Sequence, residues 1–306
     1  MFLPLYQKED RTPANMIKLG SEILKSYSIE EPVKNAEILL SEVIGKEIPE
    51  IYLIKKEIPS QLVKKYINFL KKRIERIPLQ YIVGKVDFYK YNFFVEKEVF
   101  IPRPETEILV GKAIEIYKRF FDLLPVDILD IGTGCGNIGI SLALEIEKAR
   151  VFATDVSEKA LKVAEKNACK YNIENKIKFI KSDLFPDVDL KFDIIVSNPP
   201  YIPEKEIEKL QEEVKKEPFV ALNGGKDGLD IIKRIIDNAI DFLKKEGFLL
   251  LEIGYNQLSE IEKIVEKKNL KIYNVEKDYS GIERVIVLKG RRKWTYYQEE
   301  NIKLLR

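Results

Sequence analysis

The chain has 306 residues, of which 45% are hydrophobic and 33% charged, and its formal net charge is +2. This length accommodates two domains, and the near-balanced charge gives no compositional sign of nucleic-acid or membrane-surface binding. There is no histidine, which excludes histidine bases, histidine-activated nucleophiles and histidine metal ligands, and we expect no metal. Two cysteines are too few for a disulfide framework or a zinc site, which favours the cytoplasm. No apolar run predicts a membrane span, and the first residues lack the apolar core of a secretory signal.

The first part of the sequence predicts helices. Residues 14–77 have apolar side chains at helical spacing, with a stop at Gly45 and a further helix after Ser60. The basic side chains of this last helix predict a solvated face that could also meet RNA or an RNA-bound partner; they are Lys64, Lys65, Lys71, Lys72, Arg73 and Arg76.

Beyond Pro78 the pattern changes to a loose alternation that is typical of a β-hairpin. The alternating residues are Tyr81, Val83, Val86, Phe88, Tyr91, Phe93 and Val95. We therefore expect a helical, substrate-recognising domain at 1–84, a hairpin linker at 85–104, a second domain at 105–290 and a basic tail at 291–306. A helix should begin near Glu105, after two prolines that fix an extended segment.

The second domain reads as alternating strands and helices. Strands are predicted at 126–131, 150–154, 177–180, 192–197, 248–253, 271–275 and 285–288, with helices at 157–171, 229–245 and 257–268. Such alternation predicts an α/β fold with a mostly parallel, doubly wound, Rossmann-like sheet. No helix separates the last two strands, so the final strand should be antiparallel.

A glycine-rich turn follows the first of these strands. The stretch Asp130-Ile-Gly132-Thr133-Gly134-Cys135-Gly136 lets the backbone approach a ligand closely. Gly134, Gly136 and Gly139 fit a dinucleotide fingerprint, and Asp155 at the end of the next strand can bind ribose hydroxyls. Taken alone, this pattern leaves NAD and S-adenosylmethionine both open as cofactors.

Three features at successive strand ends favour S-adenosylmethionine. Asp130 places a carboxylate where it could meet an amino-acid ammonium group, and Asp183 and Leu184 follow the third strand, where a residue pair would cap the adenine. Asn198 follows the fourth strand, where a methyl acceptor would lie. Cys135 reads as a small loop residue rather than a nucleophile, because nothing near it in sequence would activate it.

The stretch Asn198-Pro199-Pro200-Tyr201 ends a buried strand with two residues that have no N–H to donate. The Asn198 side-chain oxygen and the Pro199 carbonyl oxygen could accept the two N–H bonds of a planar amide or amino group, and the Tyr201 ring could pack on it. Such acceptors would stabilise positive charge on an attacking nitrogen. The simpler interpretation is a strand-terminating turn.

Several motifs together resemble the HemK/PrmC family, protein-(glutamine-N5) methyltransferases that act on peptide chain release factors. The resemblance covers residues 16–288 and is carried by 78–84, 101–107 (Ile-Pro-Arg-Pro-Glu-Thr-Glu), 129–136, 198–201, 217–218 with 224–229 (Gly-Gly-Lys-Asp-Gly-Leu), and 281–285. The glycine turn is generic, whereas Pro-Arg-Pro-Glu-Thr-Glu and Gly-Gly-Lys-Asp-Gly-Leu are much more specific.

The resemblance implies a seven-stranded class I methyltransferase domain, S-adenosylmethionine as methyl donor, and the glutamine of a release factor's Gly-Gly-Gln motif as acceptor. It implies that residues 132–136, Asp155 and Leu184 bind the cofactor, although the family often has an aromatic residue in place of Leu184. It also implies that residues 198–201, with Phe100 and Arg103, hold the glutamine. We expect a monomer with no nucleic-acid substrate.

Four alternatives stay open at this stage. Asn-Pro-Pro-Tyr also resembles the tetrad of enzymes that methylate exocyclic amines of nucleic-acid bases, and a glutamine of a ribosomal protein is a second possible acceptor. The third alternative is an NAD-dependent oxidoreductase, in which the glycine fingerprint would bind NAD. The fourth is a non-enzymatic binding module, which would require an empty cofactor site.

Overall fold

A computed structural model describes residues 11–122 and 124–290, and the predicted basic tail at 291–306 lies outside them. The described residues form two compact units. The first comprises residues 11–85, 95–97 and 210–216, and the second comprises 86–94, 98–209 and 217–290. No described helix is long and apolar enough to cross a membrane.

The first unit is helical, as the apolar spacing predicts. Its helices are α1 (Pro13–Ser26), α2 (Pro32–Ile44), α3 (Ile48–Leu53), α4 (Ser60–Ile74) and α5 (Leu79–Val83). Gly45 ends α2 in the left-handed region with φ 73°, which confirms the predicted stop. Tyr66 of α4 is fully buried in the core of the unit, and its hydroxyl lies 3.3 Å from the carbonyl oxygens of Met16 and Ala36.

Two predictions for this unit were wrong. Arg73 does not lie on a solvated basic face: it is 6% exposed, its Nε donates to Asn35 Oδ1 at 2.8 Å, and its guanidinium pairs with Glu213 at 2.9 Å. Tyr81 and Val83 belong to α5 rather than to the hairpin alternation. Pro78 at the N-cap and Gly84 at the C-cap, with φ 77°, define this short helix.

The second unit begins with a hairpin and a helix. Strands β1 (Lys85–Phe88) and β2 (Tyr91–Phe94) pair with each other, and α6 (Glu107–Phe120) follows a single 3-10 turn at Pro104–Thr106. The hairpin is attached to α8 (Glu158–Lys170), because the Phe94 amide donates to Asn167 Oδ1 at 2.7 Å and the Asn92 amide donates to the Tyr171 hydroxyl at 2.8 Å.

The seven predicted strands are all present and form one sheet. They are β3 (Val126–Ile131), β4 (Ala149–Asp155), β5 (Ile177–Lys181), β6 (Phe192–Ser197), β7 (Leu243–Glu252), β8 (Leu270–Lys277) and β9 (Glu283–Gly290). Their order is β5-β4-β3-β6-β7-β9-β8, and β9 runs antiparallel to both neighbours while the other pairs are parallel. The fold class and the antiparallel last strand are therefore confirmed.

Helices cover both faces of this sheet, as in other doubly wound folds. Besides α6 and α8, the second unit contains the helices α7 (Asn137–Glu145), α9 (Glu204–Ile207), α10 (Phe219–Leu222), α11 (Asp230–Phe242) and α12 (Leu258–Glu266). A 3-10 turn at Val214–Lys216 belongs to the first unit. Helix α11 ends three residues earlier than predicted, because the chain passes directly into β7 at Leu243.

Candidate active site

The strand order places a crevice between β3 and β6. The chain leaves β3 towards β4 and β5 and then returns to the other side of β3 as β6, so the connections diverge there. Ile131 at the end of β3 pairs with Ser197 at the end of β6, and the Ser197 hydroxyl donates to the Ile131 carbonyl oxygen at 2.8 Å. The glycine-rich turn and Asn198 therefore start side by side, at the place where ligands bind in open α/β sheets.

The glycine-rich turn has the backbone of a ligand cradle. Gly132, Gly134 and Gly136 have φ values of 70°, 57° and 87°, a region that favours glycine. A Cβ at Gly136 would lie 2.7 Å from Ile140 Cδ1, whereas nothing lies within 4 Å of a Cβ at Gly132 or Gly134. The turn is thus packed against the protein at Gly136 and open at Gly132 and Gly134.

Asp130 supports this turn from within. Its Oδ2 accepts from the Thr133 hydroxyl at 2.6 Å and from the Gly139 amide at 2.9 Å. Its Oδ1 is buried and has no hydrogen-bond partner among the described residues. Burial raises the pKa of Asp130 to about 7, and the two donors only partly oppose that rise. An ammonium group reaching Oδ1 would satisfy the free oxygen and favour the carboxylate form.

Asp155, at the end of β4, contacts the same turn. Its Oδ2 accepts from the Gly134 amide at 2.9 Å and its Oδ1 from the Ser157 amide at 2.8 Å. Burial raises its pKa, although these backbone donors oppose the rise. Each carboxylate oxygen keeps a further lone pair, so the group can still accept from a hydroxyl.

Leu184 and Asp183, which follow β5, have different surroundings. Leu184 has φ 73° and is partly buried, and its carbonyl oxygen accepts from the Thr154 hydroxyl at 2.6 Å next to the ends of β3 and β4. Asp183 is exposed and pairs with Arg234 at 2.8 Å. Leu184 is therefore tied to the neighbouring strand, whereas the Asp183 carboxylate is engaged on the surface by α11.

Cys135 is fully buried, and burial raises the pKa of its thiol to about 12. It has no thiolate character, in agreement with its interpretation as a small loop residue. These groups together fit S-adenosylmethionine: an open glycine backbone, an unpartnered buried carboxylate oxygen for an ammonium group and a second carboxylate for ribose hydroxyls. Among the described residues, no cluster of acidic and cysteine side chains could hold a metal ion.

In the Asn-Pro-Pro-Tyr corner the two ends of the Asn198 side-chain amide have different surroundings. The Asn198 Nδ2 donates to the Thr106 hydroxyl oxygen at 3.0 Å, and none of the described residues donates to Asn198 Oδ1. The Tyr201 hydroxyl donates to Glu252 Oε1 at 3.2 Å. Burial raises the pKa of Tyr201, so the phenol keeps its proton. The corner thus offers an acceptor at Asn198 and a neutral ring at Tyr201.

Sequence reasoning missed two residues behind this corner, Thr106 and Glu252. Both are 1% exposed. Burial raises the pKa of Glu252 to about 7, while the hydroxyls of Thr106 and Tyr201 act to lower it. Glu252 Oε2 is buried without a partner among the described residues. The only sequence signal is a glutamate at the end of the strand-forming run Phe-Leu-Leu-Leu-Glu.

The Gly-Gly-Lys-Asp-Gly-Leu stretch lies against the back of the corner. A Cβ at Gly224 would lie 2.8 Å from the Pro200 carbonyl oxygen, and one at Gly228 would lie 2.3 Å from the Tyr201 carbonyl oxygen. The Gly224 amide donates to the Ile202 carbonyl oxygen at 2.9 Å, and the Gln257 side chain donates to the Tyr201 carbonyl oxygen at 2.9 Å. These glycines are required because two backbone segments touch here.

Phe100 and Arg103 lie on the segment that leads into Thr106. The Arg103 guanidinium pairs with the buried carboxylate of Glu217 and lies 4.8 Å from the Phe100 ring centroid. The Ile101 amide donates to the other Glu217 oxygen at 3.0 Å. Burial raises the pKa of Tyr201, and the positive charge of Arg103 is a minor influence that opposes this rise. Its pairing with Glu217 gives it a structural role there.

Two family models and several known proteins are similar to this chain. A family model described as PrmC N-terminal domain matches residues 15–84, and one described as Methyltransferase small domain matches residues 118–279. The chain is 37% identical to a release factor glutamine methyltransferase of Aquifex aeolicus, over 89% of this chain and 96% of that protein. It is 40% identical to one of Fusobacterium nucleatum, over 91% of this chain and 79% of that protein.

Among solved structures, the hMettl16 catalytic domain in complex with the MAT2A 3′UTR hairpin 6 has a TM-score of 0.53 at 18% identity. The match covers 66% of this chain and 77% of that chain. At this level of identity the likeness concerns the fold alone.

Proposed function

We infer the reaction from one premise: this chain belongs to the family of release factor glutamine methyltransferases. It is an S-adenosylmethionine-dependent methyltransferase that acts on a glutamine of peptide chain release factors. The acceptor atom is the side-chain amide nitrogen of the glutamine in the Gly-Gly-Gln motif. The observation that carries this conclusion is the unoccupied acceptor Asn198 Oδ1 beside an open glycine turn.

The corner compensates for the low nucleophilicity of an amide nitrogen. The lone pair of a carboxamide nitrogen is delocalised into the carbonyl group, so the nitrogen is a poor nucleophile. Asn198 Oδ1 and the Pro199 carbonyl oxygen accept its two N–H bonds and stabilise the positive charge that develops during attack. By analogy with an oxyanion-hole donor, one preorganised group of this kind contributes about 3 kcal/mol.

Tyr201 and the prolines position the carboxamide. The Tyr201 ring packs on the planar group, and Pro199 and Pro200 fix the backbone that presents the acceptors. We assign Phe100 and Arg103, on the segment before Thr106, to binding of the glutamine. Because the chain has no histidine and Tyr201 keeps its proton, we assign no general base. The proton leaves the product nitrogen for water.

Residues at the ends of β3 and β4 and in the turns after β3 and β5 would hold the cofactor. When bound, S-adenosylmethionine supplies a methyl group that is already activated by a positively charged sulfur. Asp130 Oδ1 pairs with its ammonium group, Asp155 accepts from the ribose hydroxyls, and Leu184 with Asp183 borders the adenine. The backbone of the glycine-rich turn passes around the cofactor; this turn consists of Gly132, Thr133, Gly134, Cys135 and Gly136.

We assign recognition of the release factor to residues 1–84, with the hairpin and its extension at 85–104 as the connection to the methyltransferase residues 105–290. Four side chains of the first unit support this role, because they are large, apolar and exposed: Tyr27, Val33, Tyr52 and Leu53. We propose that the enzyme works as a monomer in the cytoplasm, where release factors act, and that it has no nucleic-acid substrate and no metal.

The direct test is incubation with labelled S-adenosylmethionine and a purified release factor. Label should enter the wild-type factor but not a factor with Gln→Ala in its Gly-Gly-Gln motif. Ribosomal RNA, DNA and ribosomal proteins tested in parallel should stay unlabelled. Label in any of these three, with none in the release factor, would overturn the assignment of the acceptor.

A further inference from the structure

Asn167 of α8 is a fully buried polar residue that the site described above does not include. Its Nδ2 donates to the Cys135 carbonyl oxygen at 2.9 Å and to the Phe94 carbonyl oxygen at 3.0 Å, and its Oδ1 accepts from the Phe94 amide at 2.7 Å. A buried side-chain amide is costly for a fold unless its donors and its acceptor have partners. Here both N–H groups and the oxygen are used, so Asn167 joins the glycine-rich turn to strand β2.

The Cys135 carbonyl group lies between two glycines of this turn. Gly134 and Gly136 have φ values of 57° and 87°, and glycines restrict the backbone less than other residues do, so hydrogen bonds have to fix the peptide units here. The Gly136 amide donates to a carbonyl oxygen of the same turn at 2.9 Å, and Asn167 donates to the Cys135 carbonyl oxygen. The peptide unit that joins Cys135 to Gly136 is therefore held at both ends, and the bond to its oxygen comes from outside the turn.

The same face of α8 contacts both the turn and the hairpin. A Cβ at Gly136 would lie 3.2 Å from Ala164 Cβ, and Ala164 lies three residues before Asn167, about one helical turn. Four residues after Asn167, the Tyr171 hydroxyl accepts from the Asn92 amide at 2.8 Å and donates to the Asn92 carbonyl oxygen at 2.7 Å. Both of these hydrogen bonds go to the hairpin, so Tyr171 is a matched control for Asn167.

We propose that Asn167 is a positioning residue for the cofactor: it holds the Cys135 carbonyl group, and with it the glycine-rich turn, in the conformation that accepts S-adenosylmethionine. Asparagine suits this role because its amide supplies two donors and an acceptor from one short side chain. Asn167 acts through the backbone of the turn and needs no contact with the cofactor itself. The inference rests on the proposed function for the identity of the cofactor and does not depend on the methyl acceptor.

The test is calorimetry with S-adenosylhomocysteine on Asn167→Leu, Asn167→Ala and Tyr171→Phe. Leucine keeps roughly the shape of asparagine without its polar atoms, and alanine serves if leucine prevents folding. Loss of the bond to the Cys135 carbonyl oxygen should raise the Kd about 10-fold in either Asn167 variant. Tyr171→Phe removes hydrogen bonds to the hairpin alone and should keep the Kd within about two-fold.

Steady-state kinetics separate positioning from a general loss of structure. In the Asn167 variants the KM for S-adenosylmethionine should rise about as much as the Kd, while kcat at saturating cofactor stays within about three-fold. A merely structural role would instead lower kcat through a smaller folded fraction and leave this KM unchanged.

A wild-type Kd in the Asn167 variants would overturn the inference. So would an equal rise in Tyr171→Phe, because anchoring of the hairpin would then explain both results. A second readout uses the wild-type protein: the side-chain amide NMR signals of Asn167 should shift when S-adenosylhomocysteine saturates the enzyme. Asn35, a buried asparagine of the first unit whose Nδ2 donates to the Glu30 and Glu31 carbonyl oxygens, is the internal reference and should not respond. Asn167 signals that stay in place would also refute the inference.

The two proposals fail in different experiments. If the Asn167 variants lose S-adenosylhomocysteine affinity as expected but the wild-type enzyme labels no release factor, the assignment of the acceptor fails and the role of Asn167 stands. If the release factor is labelled and the variants bind S-adenosylhomocysteine like wild type, only the role of Asn167 fails.

Discussion

Replacing Gly224 with alanine tests whether the loop behind Asn-Pro-Pro-Tyr sets the position of the corner. A Cβ at Gly224 would lie 2.7 Å from the Gly228 carbonyl oxygen and 2.8 Å from the Pro200 carbonyl oxygen. Real Cβ atoms essentially never come within 3.0 Å of such atoms, so something must move. Every atom in the clash belongs to the backbone, and no flexible side chain can swing aside. The backbone at Pro200, the backbone at Gly228 or both must therefore shift.

The size of the effect follows from this displacement. Forcing an extra methyl group into a packed site costs about 1–3 kcal/mol of stability. A misplacement of about 1 Å at a reacting group can lower a rate about 100-fold, and the smaller shift expected here should lower kcat about 10-fold. The Kd for S-adenosylhomocysteine should stay within about three-fold, because Asp130 and Gly132 lie at the end of β3 and the atoms that a Cβ at Gly224 would meet belong to Gly228 and Pro200.

The assay is the initial rate of release factor methylation over a range of factor concentrations, with calorimetry for cofactor affinity and urea denaturation for stability. Gly111→Ala in α6 is the matched control: nothing lies within 4 Å of a Cβ there. It should stabilise the helix by about 1 kcal/mol and leave the rate unchanged. A wild-type rate in Gly224→Ala would refute the bracing role of the loop, and an equal loss in Gly111→Ala would show that the assay reports general damage.

Three further predictions concern single side chains. Asn198→Ala should lower the methylation rate about 100- to 1000-fold, with S-adenosylhomocysteine affinity kept within several-fold in calorimetry; unchanged turnover would remove the corner from the mechanism. Arg103→Ala leaves the Glu217 carboxylate buried without its cation and should lower the free energy of unfolding by roughly 2 kcal/mol or more in urea, whereas Arg103→Ala/Glu217→Gln should recover part of that loss; a fully stable Arg103→Ala would contradict a structural pair. The pKa of Glu252 is raised from 4.5 to about 7, so its contribution to stability is present below about pH 4.5 and is lost as the pH rises towards 7. Glu252→Gln should therefore gain stability relative to wild type between about pH 5 and pH 8, and a stability difference that does not change with pH would show that the carboxyl group titrates normally.

The central strands could be predicted from the sequence because they are buried on both faces. In Phe192–Ser197 every residue is buried, and the apolar run at 194–196 is soon followed by Asn198 and Pro199, which fixes the end of the strand. The start of β7 could not be predicted in this way: Leu243–Glu252 follows α11 directly, and its first residues include Lys244 and Lys245, which continue a helical pattern. The failure at Tyr81 has a similar cause, since five residues are too few to show a period.

The residues at the front of the site could be predicted, and those behind it could not. Asp130 and Asp155 lie at the ends of β3 and β4, and Asn198 directly follows β6, so topology alone brings them to one edge of the sheet. Thr106 and Glu252 reach the corner from a 3-10 turn and from β7, and neither stands in a pattern that predicts their meeting. Arg73 was misplaced for the same reason, because its partner Glu213 is 140 residues away in the sequence.

Two prolines at the end of a strand have no N–H groups, so they cannot fix the chain by donating backbone hydrogen bonds. The rigidity of such a chain has to come from hydrogen bonds that its carbonyl oxygens accept. The Tyr201 and Ile202 carbonyl oxygens are taken by Gln257 and by the Gly224 amide, while Asn198 Oδ1 is left free. Bonds on the back of the corner therefore hold the acceptors on its front in place before a substrate arrives, which is the condition for electrostatic preorganisation. This explains why Gly-Gly-Lys-Asp-Gly-Leu, which supplies no chemical group to the reaction, accompanies Asn-Pro-Pro-Tyr. The glycines let the two backbones approach closely enough for the bond from Gly224 to Ile202.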